Sequence, residues 1–353
     1  MISYPIVLLF SGLLGGTVGS FLNVCIYRIP IEGLRVSHPR GSFCPSCKAP
    51  VRWYDNVPLL AWLWLRGRCR DCSNPISPRY PLVEAFTAAI FVLIAVRLGG
   101  QFDEFIDFFT VSVLWIWVST LIVVSGIDLD HRIIPDRITI PGTAALLLLS
   151  PWLAWLPHSG AVFSIDPSTV ALDLKNPLIW VAAAVGAVLI GGGFHRFVPS
   201  WQQQRRDFGD SLLAYVVGAL LGLLLAVALI DPSHLTDSPL HRVVLSLGGA
   251  AVGSGCIWSV GWIGSVIFRK PAMGFGDVKW MGFLGATLGP VEVLISFLIA
   301  CVLGSVVGIW LWKVKGSRYI PFGPFLAAGA ASMLLARPEL VWIWNRYIQL
   351  LQG

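Results

Sequence analysis

Long apolar runs recur from one end of this 353-residue chain to the other, and they constrain its fold more than any other feature. About 20 apolar residues in a row allow an α-helix to cross the hydrocarbon core of a bilayer. Only 12% of the residues are charged and 56% are hydrophobic, whereas a soluble domain has about 25% charged residues. We therefore predict an all-α, polytopic helical integral membrane protein with about 8–10 transmembrane helices.

The apolar runs also give approximate positions for these helices. We predict them at 5–27, 82–98, 107–127, 138–156, 178–195, 211–230, 243–268, 278–289, 291–312 and 320–337. The first run has no basic segment before it and no clear small-residue cleavage site after it. We therefore interpret it as a retained helix and not as a secretory signal.

The basic residues are concentrated in particular connections between the apolar runs. Between Arg28 and Tyr80 there are nine Lys and Arg residues and only three acidic residues. Because cytoplasmic loops carry such an excess, we predict that the N-terminus is outside and that Asp128 and Asp277 are on the cytoplasmic side. This topology pattern accounts for the net charge of +6. We expect the lipid bilayer as a partner, and no nucleic acid.

Four cysteines lie in the first basic loop, as Cys44-Pro-Ser-Cys47 and Cys69-Arg-Asp-Cys72. Two C-x-x-C pairs separated by 21 residues are typical of a tetrathiolate zinc site. Two disulfides are the alternative, but the cytoplasmic side is reducing. We predict a zinc ion with four thiolate ligands, and such a closed coordination shell indicates a structural role.

Two aspartates stand where apolar runs meet water. Asp128 closes the third run, within Gly126 to Asp136, and Asp277 lies in Gly274-Phe-Gly-Asp-Val-Lys279. An ionisable group beside a membrane segment is costly to place and suggests a functional site. Two such carboxylates brought together can share a proton and activate water, as in aspartic proteases. From the residues alone, a role as helix caps and interfacial anchors stays open.

The chain contains an internal repeat. Residues 206–222 and 273–289 share Phe-Gly-Asp and a later Gly-Ala-x-Leu-Gly at identical spacing. We interpret this as the duplication of a two-helix hairpin, with the additional copy at about 178–230. In that copy Asp207 replaces the glycine found at 274, which removes backbone freedom at the turn. We therefore predict that Asp210 is not catalytic.

In combination these motifs resemble those of bacterial type IV prepilin peptidases. These are GxGD aspartic membrane proteases, and they serve as leader peptidase/N-methyltransferases of type IV pilus and type II secretion systems. The resemblance rests on these segments, in chain order: Gly19-Ser-Phe-Leu-Asn-Val24, Arg28-Ile-Pro30, the two cysteine pairs, Asp55-Asn-Val-Pro58, Arg79-Tyr-Pro-Leu-Val-Glu84, Ile127 to Asp136, Gly274 to Lys279, and Pro321-Phe-Gly-Pro-Phe325.

The resemblance implies that Asp128 and Asp277 are the catalytic pair, one as general base on water and the other as general acid to the scissile peptide. The substrates would be prepilins or pseudopilins with a short basic leader, a glycine at the cut and a hydrophobic helix after it. The new N-terminus would then be methylated from S-adenosylmethionine. Gly67 and Arg68 fall where the family has a Gly-Lys pair associated with methylation, and the arginine departs from that pattern.

The resemblance also implies a multi-pass protein of the bacterial inner membrane, with its active site facing the cytoplasm. We predict three parts: a first transmembrane helix at 1–27, a cytoplasmic zinc-binding loop at 28–80, and a polytopic protease domain at 81–353. The family joins its two aspartate segments by a shorter connection, so the hairpin at about 178–230 would be an addition.

Two other functions stay open at this point. The first is an intramembrane GxGD protease of the signal-peptide-peptidase kind, although the four-cysteine loop and the short Asp128 segment argue against it. The second is a non-enzymatic membrane zinc module that anchors a partner, with structural aspartates. It predicts that Asn substitutions at Asp128 and Asp277 leave function intact.

Overall fold

The computed structural model describes residues 4–31, 33–38, 41–97, 105–152, 239–269, 273–316 and 320–336, together with scattered positions after 338. Within these ranges the chain is helical and has no β-strand, which confirms the predicted all-α class. The α-helices, in chain order, are α1 (Tyr4–Arg28), α2 (Leu60–Trp64), α3 (Arg79–Arg97), α4 (Phe105–His131), α5 (Asp136–Leu149), α6 (Pro239–Phe268), α7 (Phe275–Leu288), α8 (Pro290–Lys315) and α9 (Gly323–Leu335). Short 3-10 helices cover Trp53–Asn56 and Ser150–Trp152.

Five of these helices contain a segment that is long and apolar enough to cross a membrane. The five segments are Tyr4–Arg28, Arg79–Arg97, Phe108–His131, Arg242–Phe268 and Pro290–Val314. The polytopic membrane character predicted from the apolar runs is therefore confirmed. The helices predicted at 178–195 and 211–230, and with them Asp210 and the duplicated hairpin, lie outside the described residues.

Helix α4 ends later than its sequence pattern suggests. The apolar run predicts an end at 127, but the helix continues to His131, so that predicted end is wrong. Arg132 then adopts a left-handed φ of 58° and donates its N–H to the carbonyl of Asp128 at 2.9 Å. This is a common way of ending a helix. Each of the two acids in the last turn has a side-chain partner of its own, described below.

The described residues form two compact units, one from Met1–Ile138 and Gly304–Ala331, the other from Thr139–Leu303 and Ser332–Gly353. In the first unit α1 packs closely against α3. A Cβ atom added to Gly15 or Gly19 would lie 2.7 Å from the Cα of Ala88 or Glu84. Small residues at these two positions are what allow the helix backbones to approach, as is usual between membrane helices.

The second unit contains the corresponding contact between α6 and α7. Gly249 and Gly285 face each other so closely that a Cβ on either would overlap the carbonyl oxygen of the other. The Ser246 hydroxyl, on α6, donates to the carbonyl of Ala286 at 2.6 Å. Close backbone approach and an interhelical hydrogen bond together hold α7, the helix that carries Asp277.

Candidate active site and metal centre

Asp128 lies in the last turn of α4, and only 6% of its surface is exposed. Its Oδ2 accepts a hydrogen bond of 2.9 Å from the backbone N–H of Gly323, the first residue of α9. The N-terminus of a helix carries unsatisfied N–H groups and a partial positive charge, which favour a carboxylate. The structure therefore fixes the position of this carboxylate through a residue 195 positions further along the chain.

The fit at this contact leaves no room for a side chain on Gly323. An added Cβ would lie 2.7 Å from the Asp128 Oδ2 and 3.2 Å from its Cγ. Pro324 follows Gly323 and has no N–H. At the start of this helix the Gly323 N–H is therefore available as a donor to Asp128, whereas Pro324 cannot donate. This geometry explains the segment Pro321-Phe-Gly-Pro-Phe325, which the sequence singled out without a role.

Asp130 lies two residues further along α4 and has a different environment. The Asp130 side chain forms an ion pair with Arg79 at the start of α3 and remains 36% exposed. Arg79 also donates to the carbonyl of Gly126 at 3.4 Å. Residues two apart on a helix point in different directions, and these different surroundings separate Asp130 from Asp128. Asp130 connects α3 to α4.

Asp277 lies in the first turn of α7 and is half-buried. Its backbone N–H donates to the Gly274 carbonyl at 3.2 Å. Gly274 has a φ of −77°, so this glycine is not needed for a left-handed backbone. A Cβ at Gly274 would lie 3.3 Å from the Asp277 Oδ2. The glycine therefore lets the Asp277 carboxylate lie close to the backbone at position 274. Asp128 belongs to the first unit and Asp277 to the second.

The cysteine module, residues 41–78, consists of two turns with the same backbone hydrogen bonds. In each turn the first cysteine, Cys44 or Cys69, donates its N–H to the carbonyl five residues later at 2.9 Å. Its own carbonyl accepts a bond of 2.9 Å from the residue four positions later. That residue is Lys48 or Ser73, and both adopt a left-handed φ, of 62° and 57°. The two C-x-x-C pairs thus form equivalent knuckles.

The four sulfur atoms fit a tetrahedral metal site. The Sγ atoms of Cys44, Cys47, Cys69 and Cys72 all lie within 4.8 Å of one another, and those of Cys44 and Cys72 are 3.8 Å apart. Four thiolates at the usual Zn–S distance of about 2.3 Å would have sulfurs about 3.8 Å apart. Within this cluster a hydrogen bond from the backbone N–H of Cys47 is the largest effect that lowers the pKa of the Cys44 thiol, to about 6, whereas burial and the neighbouring thiols raise the pKa of Cys72 to about 12. Thiolates are the form that binds metal.

Charged side chains fix the module internally and to α1. Arg70, in the second knuckle, makes two hydrogen bonds to Asp55, at 2.7 and 2.6 Å, and lowers the pKa of this carboxyl. The Arg28 guanidinium, at the end of α1, donates to the carbonyls of Val36 and Gly41 at 3.0 and 2.9 Å. In the sequence Arg28 and Asp55 are only members of motifs, and the structure supplies their physical roles.

Gly67 and Arg68 precede the second knuckle. Gly67 has a φ of 67°, and a Cβ there would lie 2.9 Å from the Trp62 ring. Its carbonyl accepts a hydrogen bond of 2.7 Å from Ile76. Arg68 is exposed. Gly67 thus leaves room for the Trp62 ring to pack against the backbone. A role of Gly67 or Arg68 in methylation remains a prediction.

Two family models match the chain. A model described as Bacterial Peptidase A24 N-terminal domain matches residues 13–98, which include the cysteine module. A model described as Type IV leader peptidase family matches residues 215–309. Asp277 lies inside the second matched segment, whereas Asp128 lies between the two. No solved structure matches the chain.

Individual relatives match over almost the whole length. The Prepilin leader peptidase/N-methyltransferase of Aeromonas hydrophila is 30% identical, over 98% of this chain and 95% of that protein. The protein of the same name from Myxococcus xanthus is 31% identical, over 99% and 96%. The Type 4 prepilin-like proteins leader peptide-processing enzyme of Escherichia coli is 28% identical, over 94% and 95%. With a cysteine module and a sheltered carboxylate at the positions that the resemblance requires, the chain belongs to the prepilin leader peptidase/N-methyltransferase family.

Proposed function

We propose that this protein is a membrane aspartic endopeptidase that removes the short basic leader of type IV prepilins and pseudopilins and then methylates the new N-terminus. The observation that carries the peptidase assignment is the Asp128 carboxylate, sheltered in a helix end and held by the Gly323 N–H. A catalytic acid or base must be held in a defined position. Similarity to leader peptidases over nearly the full chain supports the same function.

In this mechanism Asp128 and Asp277 act as the two carboxylates of an aspartic peptidase. One removes a proton from the water that attacks the peptide carbonyl, and the other gives a proton to the departing amine. The Gly323 N–H stabilises the charged form of Asp128 and prevents its rotation away from the substrate. Gly274 leaves room for the Asp277 carboxylate beside the first turn of α7.

The four cysteine thiolates would hold a structural zinc ion, with Cys44, Cys47, Cys69 and Cys72 as its ligands. The metal would stabilise the module and leave no open coordination position for catalysis. S-adenosylmethionine would supply the methyl group for the second reaction. Gly67 and Arg68 are the module residues that the family resemblance connects with this reaction.

We place the protein in the bacterial inner membrane, with its N-terminus outside and its active site facing the cytoplasm. The basic stretch from Arg28 to Tyr80 supports this orientation, because cytoplasmic loops carry an excess of Lys and Arg. The cut would then fall at the cytoplasmic face, next to the basic leader. A signal-peptide-peptidase-like enzyme would instead cut within the bilayer.

The test is leader cleavage by purified full-length protein. Wild type should cut a prepilin after the glycine that ends its leader, while Asp128→Asn and Asp277→Asn should each lose cleavage by about 10³-fold or more, because Asn has no acid or base function. Asp210→Asn, which alters the predicted non-catalytic copy, should cleave like wild type. Cleavage by either active-site variant at near wild-type rate would refute the assignment and favour a non-enzymatic module.

A further inference from the structure

The short helix α2, inside the cysteine module, turns apolar side chains away from the protein. Three of its five residues are more than half exposed: Leu60 at 54%, Leu63 at 63% and Trp64 at 51%. The two residues between them face inward, because Ala61 is buried and the Trp62 Nε1 donates to the Ile76 carbonyl at 3.1 Å. One side of α2 is therefore fixed to the module, and the other side presents apolar surface. The peptidase mechanism uses none of these residues.

A contact between Leu59 and Glu84 fixes the depth at which α2 begins. Arg79, the first residue of α3, forms an ion pair with Asp130 near the end of α4. Because charged groups are costly inside the apolar core of a bilayer, this pair marks the level at which both helices leave it. Glu84 lies about 7.5 Å along α3 from Arg79, at a rise of about 1.5 Å per residue. The Leu59 N–H donates to its Oε2 at 2.7 Å, so α2 begins below that level.

A second contact gives a similar depth. Asn23 of α1 is level with the start of α3, because its Nδ2 donates to the Tyr80 carbonyl at 3.2 Å. Gly16 lies about 10 Å further into the membrane along α1, and a Cβ there would lie 3.6 Å from the Pro58 side chain. Pro58 and Leu59, the two residues before α2, therefore lie about 7–10 Å below the helix ends. Amphipathic helices that lie in a membrane interface are buried to a depth of about 5–10 Å.

The surroundings of α2 favour lipid as the group that covers its apolar side. Near the same depth the membrane helices expose Leu13 of α1 and Phe86 of α3, which belong to their lipid-facing surfaces. Arg66 and Arg68 follow α2 and are exposed, and among the residues that the structure describes they form no ion pair with a carboxylate. Leucine and tryptophan followed by arginine suit a segment that contacts acyl chains and phosphate headgroups of one leaflet.

We propose that α2 inserts into the leaflet on the predicted cytoplasmic side, with Leu60, Leu63 and Trp64 against lipid acyl chains and Arg66 and Arg68 at the phosphate headgroups. The loop between α1 and α3 is then anchored in the membrane at its middle as well as at both ends. This holds the cysteine module at the membrane surface. The inference goes beyond the proposed function, because it is independent of whether the protein cleaves a prepilin.

Fluorescence quenching of full-length protein in vesicles tests this placement. A fluorescent amino acid replaces Leu63 or, as the matched control, Ser37, which is exposed in the same loop. Ser37 adjoins Val36, whose carbonyl accepts from Arg28 at the end of α1, so the control lies outside the bilayer. In phosphatidylethanolamine and phosphatidylglycerol, brominated acyl chains should quench position 63 at least about threefold more than position 37, and dissolved iodide should show the opposite preference.

Two outcomes of this experiment would overturn the proposal. Equal quenching of both positions by iodide would show that position 63 lies in water. Shielding of position 63 from both iodide and brominated lipid would show that protein covers it, for example a second copy of this chain. The thermal unfolding temperature of each labelled protein reports whether it has folded.

A second measurement uses wild-type protein and so does not depend on the folding of a variant. A phospholipid with a photoactivatable group in its acyl chain should label peptides that contain Leu60–Trp64, together with peptides from α1 and α3. Labels on α1 and α3 with none on Leu60–Trp64 would overturn the proposal. Neither measurement involves cleavage, so a loss of leader cleavage would contradict the peptidase function alone.

Discussion

Replacing Gly323 with alanine would disturb the Asp128 carboxylate without touching Asp128 itself. The new Cβ would lie 2.7 Å from Oδ2 and 3.2 Å from Cγ of Asp128. Ordinary contacts need about 3.4 Å or more, so the carboxylate must move by about 0.7 Å or rotate away and lose the Gly323 hydrogen bond. A displacement of about 1 Å at a reacting group can cost about 10²-fold in rate. We expect Gly323→Ala to lower kcat/KM for leader cleavage about 10²-fold, equivalent to about 2.7 kcal/mol.

Gly304→Ala is the matched control for this substitution. Gly304, in α8, faces the same segment, and a Cβ there would meet Phe322 and Phe325 at ordinary distances of 3.5 and 3.6 Å. Both variants would be purified in detergent and assayed on one prepilin by the rate at which the leader is lost, with thermal unfolding as the check on folding. If Gly323→Ala cleaves within about threefold of Gly304→Ala, the Gly323 contact does not position a catalytic carboxylate.

Three further predictions concern the supporting structure. Cys47→Ser should abolish stoichiometric zinc in elemental analysis, because one ligand of a closed tetrathiolate shell is lost. Asp55→Asn should speed zinc loss to a chelator, since it removes the negative charge and one of the two hydrogen bonds to Arg70, whereas Asp71→Asn, which breaks an exposed pair of 3.6 Å, should not. Gly285→Ala should lower the thermal unfolding temperature or abolish expression because its Cβ would overlap a backbone carbonyl of α6, whereas Gly255→Ala, which meets no atom within 4 Å, should be tolerated. Equal behaviour within either pair would contradict the structural reason given for it.

The membrane helices could be predicted from the sequence because an apolar run is a signal carried by consecutive residues. The first run was expected at 5–27 and the helix spans Tyr4–Arg28. The cysteine pairs could also be recognised from the sequence, because the C-x-x-C spacing is a local pattern that predicts a metal-binding turn. The end of α4 could not, since the acids of its last turn, Asp128 and Asp130, contact partners that are distant in sequence.

Contacts between distant segments are the part of the site that one sequence does not reveal. Nothing in the residues around Asp128 indicates that Gly323 donates to it. Likewise, the sequence shows Glu84 only as a polar residue in an apolar helix. The structure adds that Glu84 and Trp62 line the same cavity. Both relations depend on how helices pack, and packing is decided by many weak contacts rather than by a local pattern.

The most direct test of the central claim is the intact mass of a prepilin that is co-expressed with this protein. With wild type we predict a prepilin that has lost its leader and gained one methyl group at the new N-terminus. With Asp128→Asn or Asp277→Asn, each present in the membrane at wild-type level, we predict the full-length prepilin with its leader intact. A mature prepilin in the presence of either variant would contradict the account, because cleavage would then not require both carboxylates.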